Sequence, residues 1–188
     1  MLGSLVGDPT REHERASLRV ADERADAFRR LVDRSLDASY RLAAVILNDR
    51  VEAEDAVHDA AVSAWRAFDS LRDPDRFDAW FRRILVNGCR DRLRARARHR
   101  VVDVGRELVE TDHPRVADVS EATAVRDALA RALDALSPDE RLVVTLRFHG
   151  DLTVPQVAAL AGVPEGTVKS RLHTAMTKLR TVLLEADR

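Results

Sequence analysis

Apolar residues recur at three- and four-residue steps along almost the whole chain, and this period constrains the fold more than any other feature. A long periodic segment starts near Asp22, and further segments follow it to the C-terminal end. No segment alternates apolar and polar residues as a half-buried strand does. Aromatic residues make up only 4% of the chain, which also favours helix over sheet. The sequence therefore predicts an all-α protein.

Helix start signals divide the periodic segments. A cap residue followed three positions later by Glu or Gln, or followed directly by Pro, marks the N-terminus of a helix. Four places carry such a signal: Asp49 with Glu52, Asp73 with Pro74, Ser137 with Pro138 and Glu140, and Thr153 with Gln156. We expect a helix to begin at each of them.

A change in character at residues 101–119 predicts two domains. The segment "VVDVGRELVETDHPRVADV" has five acids, a Gly and a Pro, and it lacks a sustained period, which is typical of a linker. The sequence predicts a flexible tail over 1–20, a helical domain over 21–100, a flexible linker over 101–119 and a second helical domain over 120–188.

Charged residues are unevenly distributed along the chain, although the net charge is only −1. Residues 82–100 hold eight Arg and one acid, whereas residues 41–79 hold nine acids and five Arg. This pattern predicts one partner for a basic surface and another for an acidic surface. Cys89 is the only cysteine, which excludes a disulfide framework and a cysteine-rich zinc site.

Membrane insertion is not expected, because no apolar run approaches the roughly 20 residues that a membrane span needs. The first residues, "MLGSLVGDPTREHERAS", lack the basic and apolar regions of a secretory signal. We therefore expect a cytoplasmic protein.

The stretch "TVPQVAALAGVPEGTVKSRLHTAMTKLR" predicts a helix-turn-helix, with a short helix over 154–161, a turn over 162–164 and a second helix over 165–180. Ala158, Gly162 and Val168 supply a small residue at the helix crossing, a turn residue and an apolar contact. In such a unit the second helix enters the major groove of DNA. The outward and phosphate-contacting candidates are Glu165, Thr167, Lys169, Ser170, Arg171, His173 and Thr174. An ordinary helical hairpin with solvated charges, or a membrane-surface helix, is the alternative.

Two blocks of sequence resemble known domains. The stretch from "LDALSPDERLVV" to "HTAMTKLR" resembles the −35-binding domain of bacterial sigma factors. The stretches "EAEDAVHDAAVSAW" and "FDAWFRRILVNGCRDRLRARAR" resemble their core-binding and −10-binding domain. In this order, with a short linker between them, the blocks resemble the extracytoplasmic-function group of alternative sigma factors.

The resemblance implies a function in transcription initiation, with core RNA polymerase and promoter DNA as partners and an anti-sigma factor as an inhibitor. It implies that the acidic helix docks on polymerase, and that the linker threads into the channels of the polymerase. The polymerase-binding candidates are Glu52, Glu54, Asp55, His58 and Asp59. The −10 candidates are Asp73, Arg76, Trp80, Arg83, Asn87, Arg90, Asp91 and Arg94.

The chemistry of the basic segment agrees with these roles, because single-stranded DNA is held by a basic groove with stacking surfaces. Trp80 and Phe81 have the helical spacing of core residues, so core packing is the alternative for both. The family often has Gln, Glu and Arg where this chain has His58, Asp59 and Thr174.

Two other classes of function remain as alternatives. A stand-alone helix-turn-helix regulator is one, although such proteins usually carry an α/β receiver domain. A di-iron enzyme is the other, because Asp55 and His58 are three residues apart, but it needs a second acid and His helix. We expect no catalytic residue, no metal and no cofactor.

Overall fold

The computed structural model describes residues 9–102 and 121–186, and these residues are almost entirely helical. The helices are α1 (Pro9–Leu47), α2 (Arg50–Ala67), α3 (Phe77–Val102), α4 (Glu121–Asp134), α5 (Pro138–Val144), α6 (Val154–Ala161) and α7 (Glu165–Ala186). Two 3₁₀ turns, Phe68–Ser70 and Pro74–Arg76, connect α2 to α3. A π-helical turn, Thr145–His149, continues α5. The prediction of an all-α protein is confirmed.

Three of the four predicted helix starts begin an α-helix, and the fourth, at Asp73, begins the 3₁₀ turn Pro74–Arg76 that precedes α3. Asp49 accepts a hydrogen bond from the Glu52 amide (3.0 Å) at the start of α2. Ser137 and Glu140 form a reciprocal capping box on α5, which satisfies amides that a helix N-terminus otherwise leaves unpaired. The remaining two starts use Asp73, which accepts from the Asp75 amide, and Gln156, which accepts from the Thr153 amide.

Helices α1, α2 and α3 pack against one another in the first half of the chain. One face of α2 is buried, and it consists of Ala53, Ala56, Val57, Ala60 and Ala64. Phe28 sits among aromatic rings, with its centroid 5.2 Å from that of Trp65 and 5.1 Å from that of Phe68. The Arg24 guanidinium lies 4.1 Å from the Trp65 ring centroid. These contacts fix the N-terminal part of α1 on the end of α2.

In the second half, α4 and α5 pack on α7, and α6 crosses α7. Arg141 donates to the Leu133 and Leu136 carbonyls at the end of α4 (3.1 and 3.3 Å). A buried cluster of Ala132, Leu136, Val144, Ala175 and Leu179 joins these helices.

The two halves are in contact, which the sequence does not predict. Helix α3 packs on α6, and α1 packs on α5 and the π-helical turn. The predicted linker, 101–119, lies outside the described residues except for the end of α3. Residues 1–8 of the predicted tail also lie outside the described residues. Helix α1 begins at Pro9, so the prediction of a flexible tail is wrong for residues 9–20.

Candidate nucleic-acid and partner interfaces

One face of α3 carries an exposed polar stripe, made of Arg83, Asn87, Asp91 and Arg94. These residues follow one another at steps of three and four, so they lie on one side of the helix. Arg83 has no hydrogen bond or ion pair with any residue that the structure describes, and Arg94 lies 3.7 Å from Asp91. The stripe is therefore available to a ligand with negative charge.

The other predicted −10 residues are placed differently. Trp80 is half-buried, with its ring centroid 5.7 Å from that of Phe77, and Phe81 is fully buried. Core packing thus accounts for Phe81 and for one side of Trp80. Asp73 is exposed but caps the turn before α3, and the exposed Arg76 lies 3.5 Å from it.

The opposite face of α3 is occupied by contacts with α2. Arg92 forms an ion pair with Asp59. The Arg96 guanidinium donates to Glu52 (2.9 Å) and to the Leu47 carbonyl (3.0 Å), so it joins the end of α1 to the start of α2. Because these two Arg are already paired, the basic segment presents fewer free charges than its composition indicates.

The predicted polymerase-binding residues also separate into two groups. Glu52 and Asp59 face α3, as their Arg partners show. Glu54, Asp55 and His58 are exposed on the other side of α2, and their side chains bond to nothing within the described ranges. The outward acidic face of α2 therefore consists of Glu54 and Asp55, with His58 one turn further along.

The helix-turn-helix has the predicted geometry. Gly162 has φ of 62°, in the left-handed region, and its amide bonds to the Ala158 carbonyl. Glycine adopts this conformation without the steric cost that a Cβ brings. Val168 is fully buried and fixes the start of α7 on α6. Helix α7 runs to Ala186, beyond the predicted end at Arg180.

The start of α7 presents most of the predicted −35 residues to solvent. Exposed side chains are Glu165, Lys169, Ser170, His173 and Thr174, and Thr167 is half-buried. The Ser170 and Thr174 hydroxyls donate to the helix carbonyls of Thr167 and Ser170 (3.0 and 3.1 Å). While these bonds last, the two hydroxyls can accept a hydrogen bond from a base edge but cannot donate one.

Arg171 lies on another side of α7, where it pairs with Asp139 at the start of α5. Lys178 pairs with Glu140 (2.8 Å). Burial raises the pKa of Glu140, but hydrogen bonds from Lys178 and Ser137 outweigh it and leave the pKa below its ordinary value. Both pairs hold α7 on α5. The sequence signal for these pairs is the two adjacent acids, Asp139 and Glu140, in the first turn of α5. The sequence predicts the capping role of Glu140 but neither of the two pairs.

Neither a reactive thiol nor a metal site is found in the described parts of the chain. Cys89 is buried, and burial raises the pKa of its thiol to about 12. No three His, Cys, Asp or Glu side chains in residues 9–102 and 121–186 lie together as metal ligands. Within the same ranges, no helix is both long and apolar enough to cross a membrane.

Comparisons with known proteins agree with this architecture. The family model described as Sigma-70 region 2 matches residues 31–99, and that described as Sigma-70, region 4 matches residues 132–181. The first match covers α2 and most of α3, and the second covers the helix-turn-helix.

Named relatives match most of the chain. RNA polymerase sigma-E factor of Streptomyces avermitilis is 33% identical over 160 residues, which are 85% of this chain and 87% of the relative. ECF RNA polymerase sigma factor SigM of Mycobacterium tuberculosis is 35% identical over 175 residues, which are 91% of this chain and 86% of the relative.

A solved structure shares the fold. The sigma factor RpoE of Bartonella quintana, in complex with the anti-sigma factor NepR, superposes with a TM-score of 0.65 at 28% identity. The match covers 86% of this chain and 98% of that chain. Helices, family models and relatives thus converge, and the chain belongs to the extracytoplasmic-function group of sigma factors, the alternative sigma factors of transcription initiation.

Proposed function

We propose that three helix faces of this sigma factor bind three different targets. The outward face of α2, with Glu54, Asp55 and His58, docks on core RNA polymerase. The exposed stripe of α3 holds the opened −10 strand. The start of α7, with Lys169 at its centre, reads the −35 element in the major groove.

The observation that carries this proposal is the division of charge on α3. Arg92 and Arg96 are paired with acids of α2, whereas Arg83 and Arg94 remain exposed on the stripe. A single strand needs exposed positive charge of this kind, because phosphate contacts provide most of its affinity. The matches to sigma factors support the assignment of this strand to a promoter.

The chain itself performs no bond chemistry in this proposal and acts in the cytoplasm, where core polymerase works. An anti-sigma factor is proposed as its inhibitor. RpoE of Bartonella quintana was solved with the anti-sigma factor NepR. CnrH, 30% identical with a TM-score of 0.53, was solved with the cytosolic domain of CnrY. Both matches include most of this chain.

In vitro transcription tests the proposal most directly. Purified chain and core polymerase are incubated with a library of genomic fragments, and the 5′ ends of the transcripts are mapped. We expect initiation at fragments that share a −10 and a −35 element at a fixed spacing. A chain that never binds core polymerase but binds duplex DNA tightly would be a stand-alone regulator instead.

A further inference from the structure

The loop between α2 and α3 carries two of the predicted −10 residues, and most of it is exposed. It runs from Phe68 to Arg76 and includes the two 3₁₀ turns. Residues 72–76 are all exposed, and Asp73 caps the second turn by accepting a hydrogen bond from the Asp75 amide (3.0 Å). The positions of Asp73 and Arg76 therefore depend on how the two ends of the loop are held.

The second end of the loop is held by the core. Phe77 follows the loop directly and is fully buried. Its ring centroid lies 6.1 Å from that of Phe28 and 6.4 Å from that of Phe68. Aromatic rings that pack in this way bury a large apolar area, so this end of the loop does not depend on surface charge.

The first end of the loop is held by Arg24 of α1. Its Nε donates to Asp69 Oδ1 (2.8 Å), and its Nη2 donates to the Trp65 carbonyl (3.1 Å) in the last turn of α2. The guanidinium also lies 4.1 Å from the Trp65 ring centroid and 6.0 Å from that of Phe68. Because the N–H groups of a guanidinium point in fixed directions, Arg24 orients the end of α2 and the first turn of the loop together.

The ion pair between Arg24 and Asp69 is the contact of the loop that depends on charge. Within the described ranges, it is the only ion pair that joins the loop to a helix. The Arg24 side chain is 29% exposed, whereas that of Asp69 is 79% exposed. Removing the charge of Asp69 should therefore release the start of the loop without disturbing a buried side chain.

Arg76, at the end of the loop, continues the exposed stripe of α3. It precedes Arg83 by seven residues, which is about two helical turns. Arg76 is exposed, and its Nε lies 3.5 Å from Asp73 Oδ2. Because Arg76 belongs to the turn that leads into α3, it adds positive charge in line with Arg83 and Arg94 only while the loop keeps this arrangement.

We propose that Arg24 is a positioning residue for the −10 strand: through Asp69, it holds the loop so that Arg76 lies in line with the exposed stripe of α3. This inference rests on the proposed role of α3. Arg24 itself touches no DNA in this proposal, because its guanidinium is occupied by Asp69 and Trp65. A loop that is already in place strengthens binding, since affinity scales with the fraction of molecules in the competent arrangement.

Asp69→Asn is the most informative variant, because the sign of its effect separates two explanations. It removes the ion pair and also a negative charge. The loss of a negative charge alone should strengthen DNA binding, whereas a released loop should weaken it. The matched control is Asp75→Asn, which removes the same charge from an exposed side chain of the same loop. Circular dichroism establishes that each variant remains helical.

Hydrogen exchange over residues 68–77, measured by mass spectrometry, reports release of the loop without DNA. The Leu71 and Arg76 amides are hydrogen-bonded within the loop (3.0 and 3.1 Å), and local opening exposes such amides to exchange. We expect faster exchange in Asp69→Asn and Arg24→Gln, and wild-type exchange in Asp75→Asn. Unchanged exchange in the first two variants would overturn the role of Arg24 in holding the loop.

DNA binding is measured with the chain bound to core RNA polymerase. The probe is a fragment that supports initiation in the transcription experiment, with its −10 element pre-melted. We expect Asp69→Asn to bind this probe about threefold more weakly, and Arg24→Gln up to about tenfold, since Arg24→Gln also loses the contacts with Trp65. Unchanged or tighter binding by Asp69→Asn would overturn the proposal.

Combination with Arg76→Gln separates positioning from a general effect on stability. If Arg24 acts through the loop, Asp69→Asn should cause no further weakening once Arg76 has lost its charge, because the two changes then share one interaction. A general loss of stability would instead weaken binding by the same factor with and without Arg76→Gln. That result would overturn the proposal.

Failure of the proposed function gives a different result. If α3 does not hold the −10 strand, replacing Arg83 and Arg94 by Gln leaves binding of the pre-melted probe unchanged. Hydrogen exchange still reports whether Arg24 holds the loop, because it is measured without DNA.

Discussion

At the scale of single residues, position around a helix decides which charges can meet a partner. Asp55 and Asp59 are one turn apart on α2, yet Asp59 pairs with Arg92 and Asp55 faces solvent. The sequence predicts that both are acidic and helical. It does not predict the pairing with Arg92, because that partner is 33 residues away.

Reversing Asp55 should remove the chain from core polymerase. Asp55→Arg places like charges together at a basic docking surface, which can cost several kcal/mol. The fold should survive, because an exposed substitution usually changes stability by about 0.5 kcal/mol or less. Co-elution with core polymerase is the measurement, and Asp37→Arg, at an exposed site of α1, is the matched control. Co-elution at wild-type affinity would exclude Asp55 from the interface.

Lys169 is the exposed basic residue in the first turns of α7. Lys169→Glu sets a negative charge against phosphates and base acceptors. If Lys169 contacts a base, we expect binding to weaken by about 1–3 kcal/mol, with a relaxed preference at one base pair. Binding is measured on a set of single-base variants of the −35 element. Equal weakening on every variant would assign Lys169 to phosphate alone.

At the scale of elements, the sequence predicts helix caps, but it does not predict which side chains pair between helices. The capping box of Ser137 and Glu140 is predictable, because its members are three residues apart. Lys178, which completes the Glu140 contact, is 38 residues further along the chain. The caps thus place the helices, whereas the ion pairs that orient α7 depend on the assembled fold.

The Glu140 contact gives a pH-dependent contribution to stability. Its pKa in the folded chain is below the ordinary value of 4.5, so folding favours the carboxylate. The contribution is complete above pH 4.5 and disappears as the pH falls through the lowered pKa. Glu140→Gln keeps the capping hydrogen bond but loses the ion pair with Lys178, so it should cost about 1 kcal/mol at neutral pH, and the difference from wild type should shrink in acid. Denaturant unfolding at several pH values measures it, and a difference independent of pH would contradict this reason.

At the scale of the whole molecule, the contact between the halves is what the sequence does not predict. Arg90 and Leu160 are 70 residues apart, and Arg82 and Gly150 are 68 apart. No local pattern links such positions, because the acceptors are backbone carbonyls that every residue carries. The order of the two DNA-binding units is predictable, but the packing of one half of the chain on the other is a property of the folded chain.

The two DNA-binding surfaces should be separable in the open complex with polymerase. Arg83→Gln with Arg94→Gln removes positive charge from α3 and leaves α7 intact. We expect open complexes to weaken and duplex −35 binding to stay unchanged. The slope of log affinity against log salt concentration should become shallower by about 0.7 for each single-strand phosphate that α3 no longer binds. The control, Arg30→Gln with Arg41→Gln, removes the same charge from exposed sites on α1. A pre-melted promoter should restore part of the activity if α3 assists strand opening. Equal weakening of the −35 duplex and the open complex would contradict the assignment of the two surfaces to two elements.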